Sequence, residues 1–496
     1  MMSTTVTTMA PERNDLASRG RGMSVTTAVG PPTGVGGGST ISLLACLAFC
    51  LFASWFVHAY LDRAGQHLQS YMTIAYPQEV ESLARMEWWQ YLLPLQRCRG
   101  IWGTTGFLMV YGMECAFGVP ATYHILQAVM VVVGFWVTWA VFRSQIFSFT
   151  FALCLGLGTF NYHVYSCPGS VIMAPLVTFL MLTGYCQYRL VLVEDSRAVR
   201  VWAPLCLLTI ILTALCYEGW LDYVAYAWIA YPVLALHLKR QGEMTRGHRV
   251  LGILAMLTVV AVIYVVVKLV AGIGSLHPRG GEADLVVTYG IRHVYLIIED
   301  MVSSFFTFFY TAVTTYIPPE LFIFSQSTWR YGADKVVALQ EGYHPTHAHL
   351  VHYNHVFLWR YYAGFALCGF IVLYGRILGL LRNSPNSYVV AAFLFLTATL
   401  VGSPTHLLIK WRPMHAAPFL GYQVYLAVIG WTLFGALLAK YVAEKWTRRW
   451  AATILLVLWL NVFYCALSRP SLMSHMSTES GLGPYPSPWR GLRELL

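Results

Sequence analysis

The chain has 496 residues, 57% of them hydrophobic and only 11% charged, with a mean hydropathy of +0.57. That balance excludes a soluble globular protein and predicts an all-α, polytopic membrane protein. The formal charge of +10 is better explained by basic turns at one membrane face than by nucleic acid, since no Arg/Lys stripe interleaved with aromatics occupies a soluble segment.

Residues 1–40 are rich in Thr, Gly and Ser, carry Arg13, Arg19 and Arg21, and lack an apolar run. They read as a disordered cytoplasmic tail and not a signal peptide, because the apolar run that follows is too long for one. The first span is expected over 41–60, directed outward. Further apolar runs cover 122–142, 169–190, 219–237 and 250–271. Arg143, then Arg189, Arg197 and Arg200, then Lys239, Arg240, Arg246 and Arg249 mark alternate turns. Arg376 and Arg382, and then Lys440, Lys445, Arg448 and Arg449, mark later ones, whereas 161–168 and 217–222 hold no Lys or Arg. Such alternation is what charge-oriented insertion produces.

If 103–118 also crossed, every later basic turn would move outside. This segment is short, contains Glu114 and is punctuated by Gly103, Gly106, Gly112 and Gly118, so it reads as an interfacial or re-entrant helix. The same holds for 291–317. About eleven spans (a range of about nine to thirteen) result, at about 20 apolar residues each. The transmembrane domain runs over 41–468, with a first outer loop at 61–121, a large outer loop at 273–355 and an extracytoplasmic C-terminal tail at 469–496. No internal repeat is visible, which counts against an inverted-repeat transporter.

Candidate chemistry collects on the outer face. Asp62 lies two residues past the first span, where an acid is costly unless solvated or used; it either marks the helix end or acts chemically. Arg97 and Arg99 follow Trp88, Trp89 and Tyr91, and two guanidiniums at headgroup level can clamp a phosphate or simply snorkel. Glu218 with Asp222, and His163, occupy outer turns. Lys410 and Arg412 form a basic outer turn that breaks the charge rule, which points to an anionic ligand. The alternating and i+3 spacings of His344, His347, His349, His352 and His355 suit a transition metal or a phosphate, so a divalent ion is a candidate cofactor. The eleven cysteines are scattered, show no CxxC spacing and read as small apolar residues. No Walker A, dinucleotide, His-Glu-x-x-His or Gly-x-Ser-x-Gly motif is present.

Several of these residues together resemble the GT-C superfamily of membrane glycosyltransferases. The likeness is closest to the protein O-mannosyltransferase and tetratricopeptide-containing transmembrane mannosyltransferase type, here without the repeats. It rests on Asp62, Arg99, Ala116-Phe-Gly118, Tyr123-His-Ile-Leu-Gln127, Asn161-Tyr-His163, Cys216-Tyr-Glu218, and Arg412 with Pro418-Phe-Leu-Gly421. The chain departs from the family pattern at Arg99-Gly100 (usually Arg-Pro), at the single Asp62 (often paired acids) and at Tyr217 (usually Lys).

The resemblance implies transfer of a sugar from a polyprenyl-phosphate donor to a hydroxyl of a protein, lipid or polysaccharide, with inversion, on the extracytoplasmic face. It implies Asp62 as general base and Arg99, with Arg412 and its neighbour Lys410, at the donor phosphate. Glu114, His163, Glu218 and Asp222 would then stand on the acceptor side or behind it. A multi-pass location in a bacterial inner membrane is favoured over the endoplasmic reticulum. Competing readings are an O-antigen ligase or polymerase, centred on His355 and Arg330, and a transporter or non-catalytic scaffold.

Overall fold

A computed structural model describes residues 40–63, 106, 108–158, 173–216, 220–272, 316 and 425–477. Among the described residues the regular structure is entirely helical. The helices are α1 (Thr40–Arg63), α2 (Leu108–Phe117), α3 (Val119–Phe142), α4 (Gln145–Leu157) and α5 (Met173–Leu192). They continue as α6 (Ser196–Cys216), α7 (Trp220–Arg240), α8 (Met244–Gly272), α9 (Tyr425–Lys445) and α10 (Arg448–Ser477).

Local chemistry sets the breaks between them. Gly118 has φ 81 and ψ 158, backbone that a side chain resists, and Pro120 follows in the first turn of α3, where its missing N–H costs nothing. Arg143 ends α3 in the left-handed conformation, its N–H donating to the Trp139 carbonyl at 3.0 Å. Ser144 then caps α4 by accepting from the Phe147 N–H. Asp195 accepts from the Arg197 N–H at 2.9 Å and so starts α6. Gly242, at φ +82, turns the chain between α7 and α8.

Among the described residues five helices are long and apolar enough to cross a membrane: Thr40–Tyr60, Val119–Phe142, Ser196–Cys216, Met244–Val267 and Arg448–Leu467. Their outer faces carry bare apolar side chains, among them Phe52, Trp55, Val259 and Leu460. Such a surface would be a liability in water and is matched by lipid. The chain is a helical membrane protein. Expected spans between 356 and 424 lie outside the described residues. The candidate spans end at Tyr60 and Leu467, and the helices run on past them: α1 continues through Arg63, so Asp62 stands in its last turn, and α10 continues through Ser477. Within 103–118 the described residues form the short helix α2, Leu108–Phe117.

The helices form antiparallel hairpins, α3–α4, α5–α6 and α7–α8, packed side by side, with α9–α10 against α4. Close approach is made possible by glycine. A Cβ on Gly134 of α3 would meet Leu155 of α4 at 2.8 Å and Met181 of α5 at 3.4 Å, the small-residue packing typical of membrane helices.

Among the described residues the turns of α3–α4, α5–α6, α7–α8 and α9–α10 lie at one end. Gln145 at the start of α4 contacts Ser42 and Cys46 at the start of α1. Ile146 packs where α9 ends and α10 begins, with Ala439, Val442, Ala451 and Leu455. Arg246 at the start of α8 bridges to Glu194 after α5 at 3.2 Å. Trp136 of α3 meets Tyr185 of α5 with ring centres 4.8 Å apart, both late in their helices. The basic residues Arg143, Arg189, Arg197, Lys239, Arg240, Arg246, Arg249, Lys445 and Arg448 therefore share one end of the bundle.

Candidate functional site

The end of the bundle opposite the basic turns is formed where α1 finishes, α2 lies, α3 starts, α4 stops short and α6 gives way to α7. Three of the candidate acids belong here by position: Asp62 in the last turn of α1, Glu114 in α2 and Asp222 in the first turn of α7. Arg99, His163, Glu218, Lys410, Arg412, His344, His347, His349, His352 and His355 lie outside the described residues.

Glu114 is only 7% exposed, so it is not a solvated residue of an outer loop. Its carbonyl accepts from the Gly118 N–H at 2.8 Å, fixing the corner between α2 and α3. Beside it, burial pushes the Tyr111 phenol up to about 12, helped by a hydrogen bond with Cys115 and by the Cys115 and Glu114 charges. Tyr111 therefore stays a neutral phenol at any physiological pH.

The most connected feature is the end of α4. This helix has 13 residues, roughly 20 Å of rise, against a hydrocarbon core of about 30 Å. It stops inside the bundle, where its last carbonyls need donors. Two side chains supply them at one atom: Gln127 Nε2 of α3 donates to the Gly156 carbonyl at 3.1 Å, and Ser54 Oγ of α1 at 3.4 Å. One turn further out, on the same faces of α1 and α3, His58 and His124 meet with ring centres 6.3 Å apart and planes at 88°. His58 is buried and His124 partly so. These imidazoles and the closed end of α4 lie beneath the outer end of α1.

A second polar group lies within α5 and α7. Gln187 Oε1 accepts from the Tyr223 hydroxyl at 2.7 Å and from Tyr231, and the two hydroxyls are 2.7 Å apart. Among the described residues Gln187 Nε2 has no partner. At the basic end, a cleft of about 440 Å³ is lined by Glu194, Glu243, Arg246 and Arg249. Its charges are already matched: Arg246 pairs with both acids, and Arg249 donates to the carbonyls of Leu190, Val191 and Val193.

Ser54, His58 and the Gln187–Tyr223–Tyr231 group were not singled out by sequence reasoning. His58 had a signal, since it stands one helical turn before Asp62; a lone Gln in an apolar run had none. Among the described residues no group of three or more His, Cys, Asp or Glu is arranged to hold a metal. Comparison with known proteins finds no matching family model and no matching characterised sequence.

Proposed function

We propose that this protein is an integral-membrane glycosyltransferase that moves a sugar from a polyprenyl-phosphate donor to an acceptor hydroxyl. The observation that carries the reading is the opposition of the two bundle ends: basic turns at one, and Asp62, Glu114 and Asp222 at the other. By the positive-inside rule the basic end is cytoplasmic, which makes the Asp62 end extracytoplasmic, as in a bacterial inner membrane. An enzyme acting on a lipid-linked sugar needs its polar groups gathered at one membrane surface, beside lipid-facing helices.

In the proposed step the acceptor oxygen attacks the anomeric carbon while its proton passes to the Asp62 carboxylate. The bond from that carbon to the phosphate oxygen breaks, and polyprenyl phosphate leaves with the electron pair. Arg99, Lys410 and Arg412 hold the leaving phosphate, whose charge grows as the bond lengthens. Glu114, His163, Glu218 and Asp222 orient the acceptor. A membrane preparation supplied with polyprenyl-phosphate sugar and an acceptor should show label transfer with the parent protein and none with Asp62→Asn. Full transfer by a normally inserted Asp62→Asn protein would end the assignment.

The buried Gln187–Tyr223–Tyr231 group favours a second reading, a transporter with a polar site deep in the bundle. Uptake into vesicles that is lost on Gln187→Leu, without any sugar transfer, would select it.

A further inference from the structure

We propose that His58 and His124 together bind a transition-metal ion of the zinc type, over the interrupted end of α4. The inference stands apart from the transferase reading, because it depends on ligand chemistry and not on a reaction.

Three observations converge. The first is the meeting of two imidazoles from different helices, His58 of α1 and His124 of α3, with ring centres 6.3 Å apart. A metal–nitrogen bond of about 2.1 Å, plus about 1.1 Å from nitrogen to ring centre, lets two imidazoles on one ion stand up to about 6.4 Å apart. A tetrahedral angle would draw them to about 5.2 Å, a movement within side-chain rotation. The second is the helix beneath them. The α4 helix ends inside the bundle at Leu157, and the carboxyl end of a membrane helix carries partial negative charge that favours a cation. The third is rigidity: the turn below is held by Ser54 and Gln127 on the Gly156 carbonyl, so both histidines are mounted on braced backbone.

Neutral imidazole binds zinc, cobalt, nickel and copper, and binds magnesium and calcium poorly. Among the described residues no third His, Cys, Asp or Glu joins them, so the two imidazoles are the ligands the proposal assigns. His124, only partly buried, provides the route of entry.

The test uses full-length protein purified in detergent, with His344, His347, His349, His352 and His355 replaced by Ala so that these histidines add no metal. The protein is stripped with chelator, dialysed against Co²⁺, and measured by elemental analysis and by visible d–d absorption. One cobalt per chain, displaced by Zn²⁺, is expected. His58→Gln and His124→Gln should each weaken binding by roughly tenfold or more, while His237→Gln, in the last turn of α7 at the basic end, should leave it unchanged. If His58→Gln does not yield a monodisperse protein, His124→Gln decides alone. Absence of cobalt from the parent, or equal binding in both variants, overturns the proposal. Sugar transfer is read separately: its absence with metal binding intact discards the transferase alone, and its presence without metal binding discards the site alone.

Discussion

Gln127 of α3 donates from its amide nitrogen to the carbonyl of Gly156, 3.1 Å away on α4. Because that oxygen belongs to a helix ending inside an apolar bundle, the bond is worth more than its length suggests. An unsatisfied buried carbonyl carries a desolvation cost of about 1–3 kcal/mol. Gln127→Leu should therefore lower the thermal stability of the detergent-solubilised protein by that order, since the Ser54 contact, at 3.4 Å, compensates only in part. Unchanged thermal unfolding would show that the end of α4 finds its donors elsewhere.

Gly118 and Gly112 should respond oppositely to alanine. Among the described residues neither has an atom within 4 Å of an added Cβ, so backbone conformation decides. Gly118 has φ 81 and ψ 158, and forcing alanine into that region costs about 1–3 kcal/mol. Gly112 lies within α2 at ordinary helical backbone, where alanine stabilises by about 0.5–1 kcal/mol. Denaturant titration of the two variants side by side measures the difference.

Gly134 marks the tightest crossing of α3, α4 and α5. A Cβ there would stand 2.8 Å from Leu155 and 3.2 Å from Phe151. Gly134→Ala should be tolerated with a loss of about 1–3 kcal/mol, the usual range for overpacking, and Gly134→Leu should abolish recovery of folded protein. Fluorescence-detected size exclusion of the two variants distinguishes these outcomes.

Arg249 and Glu194 make opposite predictions at the basic end. Arg249 donates to the carbonyls of Leu190, Val191 and Val193, closing the end of α5 with a cation where the helix dipole is negative. Arg249→Ala should cost about 1–3 kcal/mol. Glu194 pairs with Arg246, but its side chain is 87% exposed, and Glu194→Gln should change stability by less than about 1 kcal/mol. A large effect of Glu194→Gln would mean that the inter-hairpin pair is shielded from solvent.

Reporter fusions test the orientation. A green fluorescent protein fused after Gln241, at the basic turn between α7 and α8, should fluoresce, and alkaline phosphatase fused there should be inactive. Fusions after Gly219 should give the reverse pattern. The opposite result would place Asp62 in the cytoplasm and remove the extracytoplasmic transferase.

Residue order alone was enough to locate α1, α3, α5, α7 and α8 and to group the basic turns by charge. The runs 122–142 and 219–237 became α3 and α7, and the turns holding Arg143, Arg197 and Arg246 came to one end, because apolar length and loop charge act locally. A span is recognised by its own residues, and a basic turn needs no partner to be retained on one side. The positions of Asp62, Glu114 and Asp222 at the other end follow from the same alternation.

What only the tertiary structure decided are the contacts between helices. Nothing in the order of residues says that α4 stops short inside the bundle, that Gln127 and Ser54 close it, or that His58 meets His124 above it. Those pairings depend on which helices become neighbours, and that is fixed by close packing at positions such as Gly134 and Gly156 and by the need to satisfy buried carbonyls in a medium without water. Periodicity along one helix carries no record of either.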